Sequence, residues 1–140
     1  MAAETNASGK LHLVLVDHDR RLLDVTCDEV QVPGSEGTLG VLPGHTALIA
    51  TLRVGEVMYR QGKSEHYVAL SEGLVEIAHD EVTVLTESAE LPDEIDVEAA
   101  RQAASEAEVE LFAAGNPDWA EAQARLEKAN ARIHVAEKSR

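Results

Sequence analysis

The stretch Gly34-Ser35-Glu36-Gly37-Thr38-Leu39-Gly40-Val41-Leu42-Pro43-Gly44-His45 decides the fold. It sets four glycines and one proline around a short apolar run. Glycine and proline at those places mark tight turns, and the residues between them suit an extended strand. The segment therefore reads as one strand between two exposed turns. The second turn, Pro43-Gly44-His45, should project from one end of a β domain, where a partner could grasp it.

The same grammar extends on both sides. Leu11, Leu13 and Leu15 alternate with His12, Val14 and Val16. Further strand-like runs cover 29–32, 38–42, 47–53, 56–60, 66–70, 74–78 and 81–86. Turn signals separate them: Asp17-His18-Asp19, Pro33-Gly34-Ser35, Pro43-Gly44, Gln61-Gly62-Lys63, Glu72-Gly73 and His79-Asp80. Short strands at this spacing, with no helical stretch between them, predict an antiparallel sandwich or barrel.

The pattern changes at Leu91-Pro92. Val97, Ala100, Ala104, Ala107, Leu111 and Ala114 recur at helical spacing, as do Trp119, Ala122, Leu126, Ala129, Ile133 and Ala136. Each segment presents one apolar stripe. Gly115 suits the end of the first helix. Asn116 suits the cap of the second, with Pro117 in its first turn. So short a link makes the pair antiparallel. The sequence thus divides into a flexible N-terminus (1–9), a β-sandwich (10–90) and a helical hairpin (91–140), with helices about 96–114 and 117–136.

The stripes are thin. Each Ala in place of Leu forgoes roughly 2 kcal/mol of burial at about 0.8 kcal/mol per methylene. Such helices are marginal alone, so the hairpin leans on the sandwich or on another protein. It is either a fixed cap or an element that changes its docking.

Of the 140 residues 44% are apolar but only 3% aromatic, which predicts an aliphatic core. The formal charge of -14 argues against a nucleic-acid binder and favours a basic partner surface or simple solubility. The single cysteine, Cys27, allows no internal disulfide and reads as a small strand residue. The polar start lacks an export signal, and no apolar run reaches the roughly 18 residues of a membrane span. The expectation is a soluble intracellular protein, associated with a membrane only through a complex.

Catalytic patterns are absent. Gly62-Lys63-Ser64 imitates the end of a phosphate loop, but Val57 stands where that pattern needs glycine, so a hairpin turn is the better reading. The six histidines form no local metal-ligand pair, and no serine sits in a nucleophile elbow. No catalytic residue, metal or cofactor is expected. The last helix is locally basic. Arg125, Lys128, Arg132, Lys138 and Arg140 face only Glu127 and Glu137. Arg125, Lys128 and Arg132 share a face. They either complement the helix dipole or form a docking face for an acidic partner.

The glycine-rich stretch resembles the signature of the epsilon subunit of F-type ATP synthases. Gly55-Glu56-Val57 after Leu52 fits the next strand pair. Val68-Ala69-Leu70-Ser71-Glu72-Gly73-Leu74-Val75-Glu76 is similar to a further family stretch, with Glu72 for a common glycine. Val82-Thr83-Val84-Leu85 and Ile95-Asp96 complete a resemblance running from about residue 10 to the end. It implies a ten-stranded β-sandwich with a C-terminal antiparallel two-helix hairpin. It also implies a non-catalytic subunit of a proton-translocating complex, in the central rotor stalk. The partners would be the gamma subunit, the c-ring and, in an inhibited state, the alpha/beta catalytic head. The place would be the cytoplasmic face of a bacterial inner membrane. Pro43, Gly44 and His45 would rest on the c-ring, with Thr38, a position where the family often carries an acid, in the same region. The hairpin would inhibit ATP hydrolysis, its Arg125, Lys128 and Arg132 meeting acids of the head.

Some members bind ATP on the hairpin through a motif resembling Ile/Leu-Asp-x-x-Arg-Ala. Here Ala99 follows Ile95-Asp96-Val97-Glu98, Arg101 comes two residues late, and Lys128 replaces another arginine. Asp96 and Arg132 remain as ATP-site candidates, and weak or absent ATP binding is expected. Rival readings from composition alone are a free-standing β-sandwich binding module with a helical cap, and a small enzyme with a dispersed site.

Overall fold

The computed structural model describes residues 9–113 and 115–138. The segment 1–8 expected to be flexible, Ala114 of the first stripe, and Arg140 of the basic cluster lie outside the described residues. Ten strands come first: β1 Leu11–Val16, β2 Arg21–Cys27, β3 Glu29–Gly34, β4 Gly37–Val41, β5 Leu48–Leu52, β6 Gly55–Gln61, β7 Ser64–Leu70, β8 Gly73–Ala78, β9 Glu81–Thr86 and β10 Ala89–Glu90. A short 3₁₀ turn, Pro92–Glu94, leads to α1 Val97–Leu111 and α2 Trp119–Lys138. Among the described residues no helix is long and apolar enough to cross a membrane.

The strands run β10-β7-β6-β3-β5-β8-β9-β1-β2, with β4 on the side of β3. β3 pairs with β6 through Glu29–Gln31 and with β5 at Gly34↔Leu52. That handover folds the ribbon into two layers, β10-β7-β6-β3 and β5-β8-β9-β1-β2. Period-two alternation then sends one face of each layer inward. Ala50↔Val75↔Val84 and Leu48↔Ile77↔Val82 line one inner face. Val30↔Tyr59 and Val57↔Val68 line the other. The result is an aliphatic core of Leu11, Leu13, Leu15, Val30, Val32, Val41, Val75, Ile77, Val82 and Val84, with buried Cys27 at its edge. The β3–β4 turn needs its glycines. Gly37 has φ +135°, and a Cβ on Gly34 would lie 2.6 Å from the Gly37 carbonyl oxygen. Gly62-Lys63 is the two-residue turn between β6 and β7.

Several local expectations are corrected. β1 and β9 pair in parallel, so the sheet is not wholly antiparallel. The parallel pair comes from closing β1 against a strand far along the chain, without a crossover helix. β2 and β10 carry no clean alternation and were not among the runs seen in the sequence. α1 ends at Leu111, short of residue 114. Asn116 serves both helices: its Oδ1 accepts from Asp118 N–H at 2.9 Å just ahead of α2, and its side-chain NH2 donates to the Glu110 carbonyl at 2.7 Å, satisfying an open carbonyl of α1. Asp118 takes the first-turn role, its carbonyl accepting from Ala122 N–H. Trp119, placed in the apolar stripe, is 56% exposed.

α1 buries Ala100, Ala104 and Ala107, and α2 buries Ala122, Ala129 and Ala136, so the two stripes meet as their spacing predicts. α2 also buries a second face that the single-stripe reading missed. Ala131 and Val135 turn toward the sandwich, where Val135 and Ala136 pack with Ala69 and Ile95.

Candidate functional site

The two outer faces of the sandwich differ. On the β10-β7-β6 layer, cross-strand register sets Glu90, Ala69 and Glu56 in one row. α2 lies over this row. Arg132 donates to both carboxylate oxygens of Glu90, at 2.6 and 3.2 Å. The Lys138 ammonium donates to Glu56 at 2.5 Å and lies 4.9 Å from the Tyr67 ring centroid. Glu56 holds the Lys138 pKa above its usual value despite partial burial. Beside this seat lies a cleft of ≈ 430 Å³, lined by Arg53, Glu56, Glu65, His134 and Lys138 among others.

The three cations expected to meet an acidic partner are held differently. Arg132 is tied to the sandwich. Arg125 is tied to Glu110 of α1, a bond that raises the arginine pKa and lowers that of the glutamate. Lys128 is exposed and makes no ion pair among the described residues. Lys138 was named in the basic cluster but not in the docking face, and its partner, 82 residues away, could not be read from any local pattern.

The ATP candidates are engaged elsewhere. Asp96 is the N-cap of α1, accepting from Ala99 N–H at 3.0 Å. Arg132 is on Glu90. Each therefore has an intramolecular partner.

Among the described residues, no helix covers the outer face of the other layer. The outward row Thr51↔Leu74↔Leu85 and its neighbour Ile49↔Glu76↔Thr83 follow from the register. Ile49 is 67% exposed, Leu85 49% and Leu74 43%. Glu76, Glu81 and Asp24 lie on the same face by register.

The residues expected at one ring-facing end separate. Thr38 pairs with Pro33 beside the β3–β4 turn. Pro43, Gly44 and His45 follow the far end of β4, where Gly44 N–H donates to Asp80 of the β8–β9 turn at 2.7 Å. Thr38 and the Pro43–His45 turn thus lie toward opposite ends of the strand. Asp17, His18 and Asp19 bring carboxylate and imidazole atoms within 4.8 Å of one another. These groups already serve a turn: Asp17 accepts from Asp19 and Arg20 N–H, and His18 Nδ1 meets the Glu87 carbonyl.

Family models match both parts of the chain. The beta-sandwich domain of the ATP synthase delta/epsilon chain matches residues 10–92, and the long alpha-helix domain of the same family matches 93–137. The chain belongs to the ATP synthase delta/epsilon chain family. The resemblance read from Gly34–His45 and the later motifs is borne out. Similar curated proteins include ATP synthase epsilon chain 2 of Syntrophotalea carbinolica, 43% identical over 129 residues, covering 91% of this chain and 94% of that one. The epsilon chain of Geobacter sp. (strain M21) is 42% identical over 132 residues, covering 93% and 96%. A solved Euglena gracilis mitochondrial ATP synthase, OSCP/F1/c-ring, contains a chain of the same fold. Its TM-score is 0.80 at 21% identity, covering 99% of this chain and 86% of that one. A Tetrahymena thermophila mitochondrial central stalk/c-ring structure gives a TM-score of 0.56 at 14% identity, with 93% and 96% covered.

Proposed function

We propose that this chain is a non-catalytic central-stalk subunit of an F-type ATP synthase, coupling rotation of the c-ring to the gamma subunit and the catalytic head. Its hairpin serves as an inhibitor of ATP hydrolysis. The observation that carries this reading is the asymmetry of the sandwich in a chain belonging wholly to the epsilon family. One outer face is thinly covered by the hairpin. The other is bare, apolar and bordered by acids. A bare sheet face with exposed Ile49, Leu74 and Leu85 suits a stable protein partner, and we assign gamma to it. Contact with the c-ring belongs to an end of the sandwich. Because Thr38 and Pro43-Gly44-His45 lie toward opposite ends of β4, only one of the two groups fits that role. The complex holds the chain at the cytoplasmic face of the membrane. ATP binding on the hairpin is weak or absent, since Asp96 and Arg132 have internal partners and Ala99 stands at the motif arginine.

Truncation after Pro92 in the assembled enzyme tests the reading. The sandwich should stay folded, keep its hold on gamma and raise hydrolysis at low ATP. Unchanged hydrolysis removes the braking role. Ile49→Glu should abolish capture of gamma while leaving the circular dichroism spectrum intact. Retained capture moves gamma to another face.

A further inference from the structure

The cationic face of α2 and the sheet beneath it share a spacing. Arg132, Val135 and Lys138 lie at i, i+3 and i+6, about 9 Å from first to last at 1.5 Å per residue. Glu90, Ala69 and Glu56 lie across three adjacent strands, also about 9–10 Å at 4.8 Å per strand. The rows match charge for charge and apolar for apolar. Arg132 is on Glu90, Lys138 on Glu56, and fully buried Val135 packs in the cluster that holds Ala69. The second carboxylate oxygen of Glu56 is buried without a hydrogen-bond partner, so among the described residues the lysine is this half-buried acid's hydrogen-bond partner. Sliding α2 by one turn in either direction would set a cation over Ala69 and bring Val135 over a carboxylate. The row therefore fixes one docking register.

We propose that Glu90 and Glu56 are an internal decoy for the acidic surface that the hairpin meets when it brakes the enzyme. This deepens the proposed function and rests on it. An acidic partner competes with these two carboxylates for Arg132 and Lys138. Arg125 is guarded separately, by Glu110 of α1, so undocking from the sandwich releases Arg132 and Lys138 but leaves Arg125 bound until the helices part. Release is stepwise: first the sandwich gives up α2, then α1 does. Lys128, exposed throughout, is the cation an acidic surface can reach first.

The test uses the full chain and the assembled complex. Glu90→Gln with Glu56→Gln should speed amide exchange of residues 122–138 by roughly tenfold or more, as loss of charged hydrogen bonds dictates, with the inner strands unchanged. The same pair should lower hydrolysis by the complex. The exchange Glu90→Arg with Arg132→Glu should bring α2 exchange back toward the original rate, while hydrolysis stays high because the head then meets a like charge. Glu110→Gln should free only the α1–α2 contact, with α2 still protected over the sandwich. Unaltered α2 exchange in the double glutamine variant overturns the decoy. Faster exchange with unchanged hydrolysis supports the hold on α2 and overturns the braking role instead.

Discussion

Val135→Ala isolates how strongly the hairpin is seated. Val135 is fully buried where α2 meets the sandwich, among Ala69, Ile95 and Ala136. The substitution removes two methyl groups from that seam without touching either ion pair. At about 0.8 kcal/mol per group the loss is about 1.6 kcal/mol before any cavity cost. At about 1.4 kcal/mol per decade, the undocked population should rise roughly fifteenfold. Because the opening is local, amides of α1 and α2 should exchange faster while those of β1, β8 and β9 keep their protection. Hydrogen exchange with peptide resolution on the full chain reads both at once. Val75→Ala serves as the contrast, since Val75 is buried between the layers and its loss should speed exchange throughout. If Val135→Ala speeds the sandwich and the hairpin equally, they are one cooperative unit and the idea of a detachable hairpin is wrong. If it speeds neither, the seam does not hold the hairpin.

Three further outcomes follow from local geometry. A Cβ on Gly73 would sit 2.1 Å from the Leu85 carbonyl oxygen and 2.9 Å from Thr86 Cα, so Gly73→Ala should destabilise the sandwich by about 3 kcal/mol in urea unfolding. Burial, reinforced by the charge of Asp28, pushes the Cys27 thiol up to about 11. At pH 8 it should react with a thiol reagent roughly a hundredfold slower than free cysteine, and at the ordinary rate in denaturant. His12 of β1 bonds Asp24 of β2 and faces Glu81 of β9 at 3.6 Å. The Asp24 bond raises the histidine above 6.5 and lowers the aspartate below 3.8. The histidine's stabilisation is therefore complete below pH 6.5 and fades as pH rises through its higher native value. The aspartate's is present above 3.8 and fades as pH falls through its lower one. The stability difference between the original chain and His12→Gln should shrink from pH 6 to pH 9 in urea titrations.

What the sequence made legible was what neighbours in the chain decide. Glycine and proline punctuate β3, β4 and β5, and alanine spacing locates the seam where Ala100, Ala104 and Ala107 meet Ala122, Ala129 and Ala136. β2 was missed because Leu22-Leu23 breaks the alternation, and its register against β1 shifts at Leu15/Val16. The parallel β1–β9 pair was missed because nothing local encodes a partner some seventy residues away. The site divides the same way. The shared face of Arg125, Lys128 and Arg132 was visible as spacing. Their partners, Glu110 from α1 and Glu90 from β10, were not, because an ion pair between distant elements leaves no period in the chain.

The weakness of the seat bears on function. Reversing a two-state element from 1:99 to 99:1 takes about 5.5 kcal/mol of differential binding. A partner can supply that only if the resting contact is small. The apolar part of this one is Val135, Ala131 and Ala136 against Ala69 and Ile95, with Tyr67 and Val97 half-buried beside them. One buried valine contributes about 1.5–3 kcal/mol, and each alanine far less. Leucines along the same face would exceed what a partner could displace, and would leave an aggregation-prone helix once undocked. Charges avoid both difficulties. Arg132 and Lys138 pair with Glu90 and Glu56 while docked, and on the proposed braking role they would offer the same groups to an acidic surface once released. A thin apolar seam between two ion pairs therefore suits a helix that, on that proposal, leaves one acidic row for another.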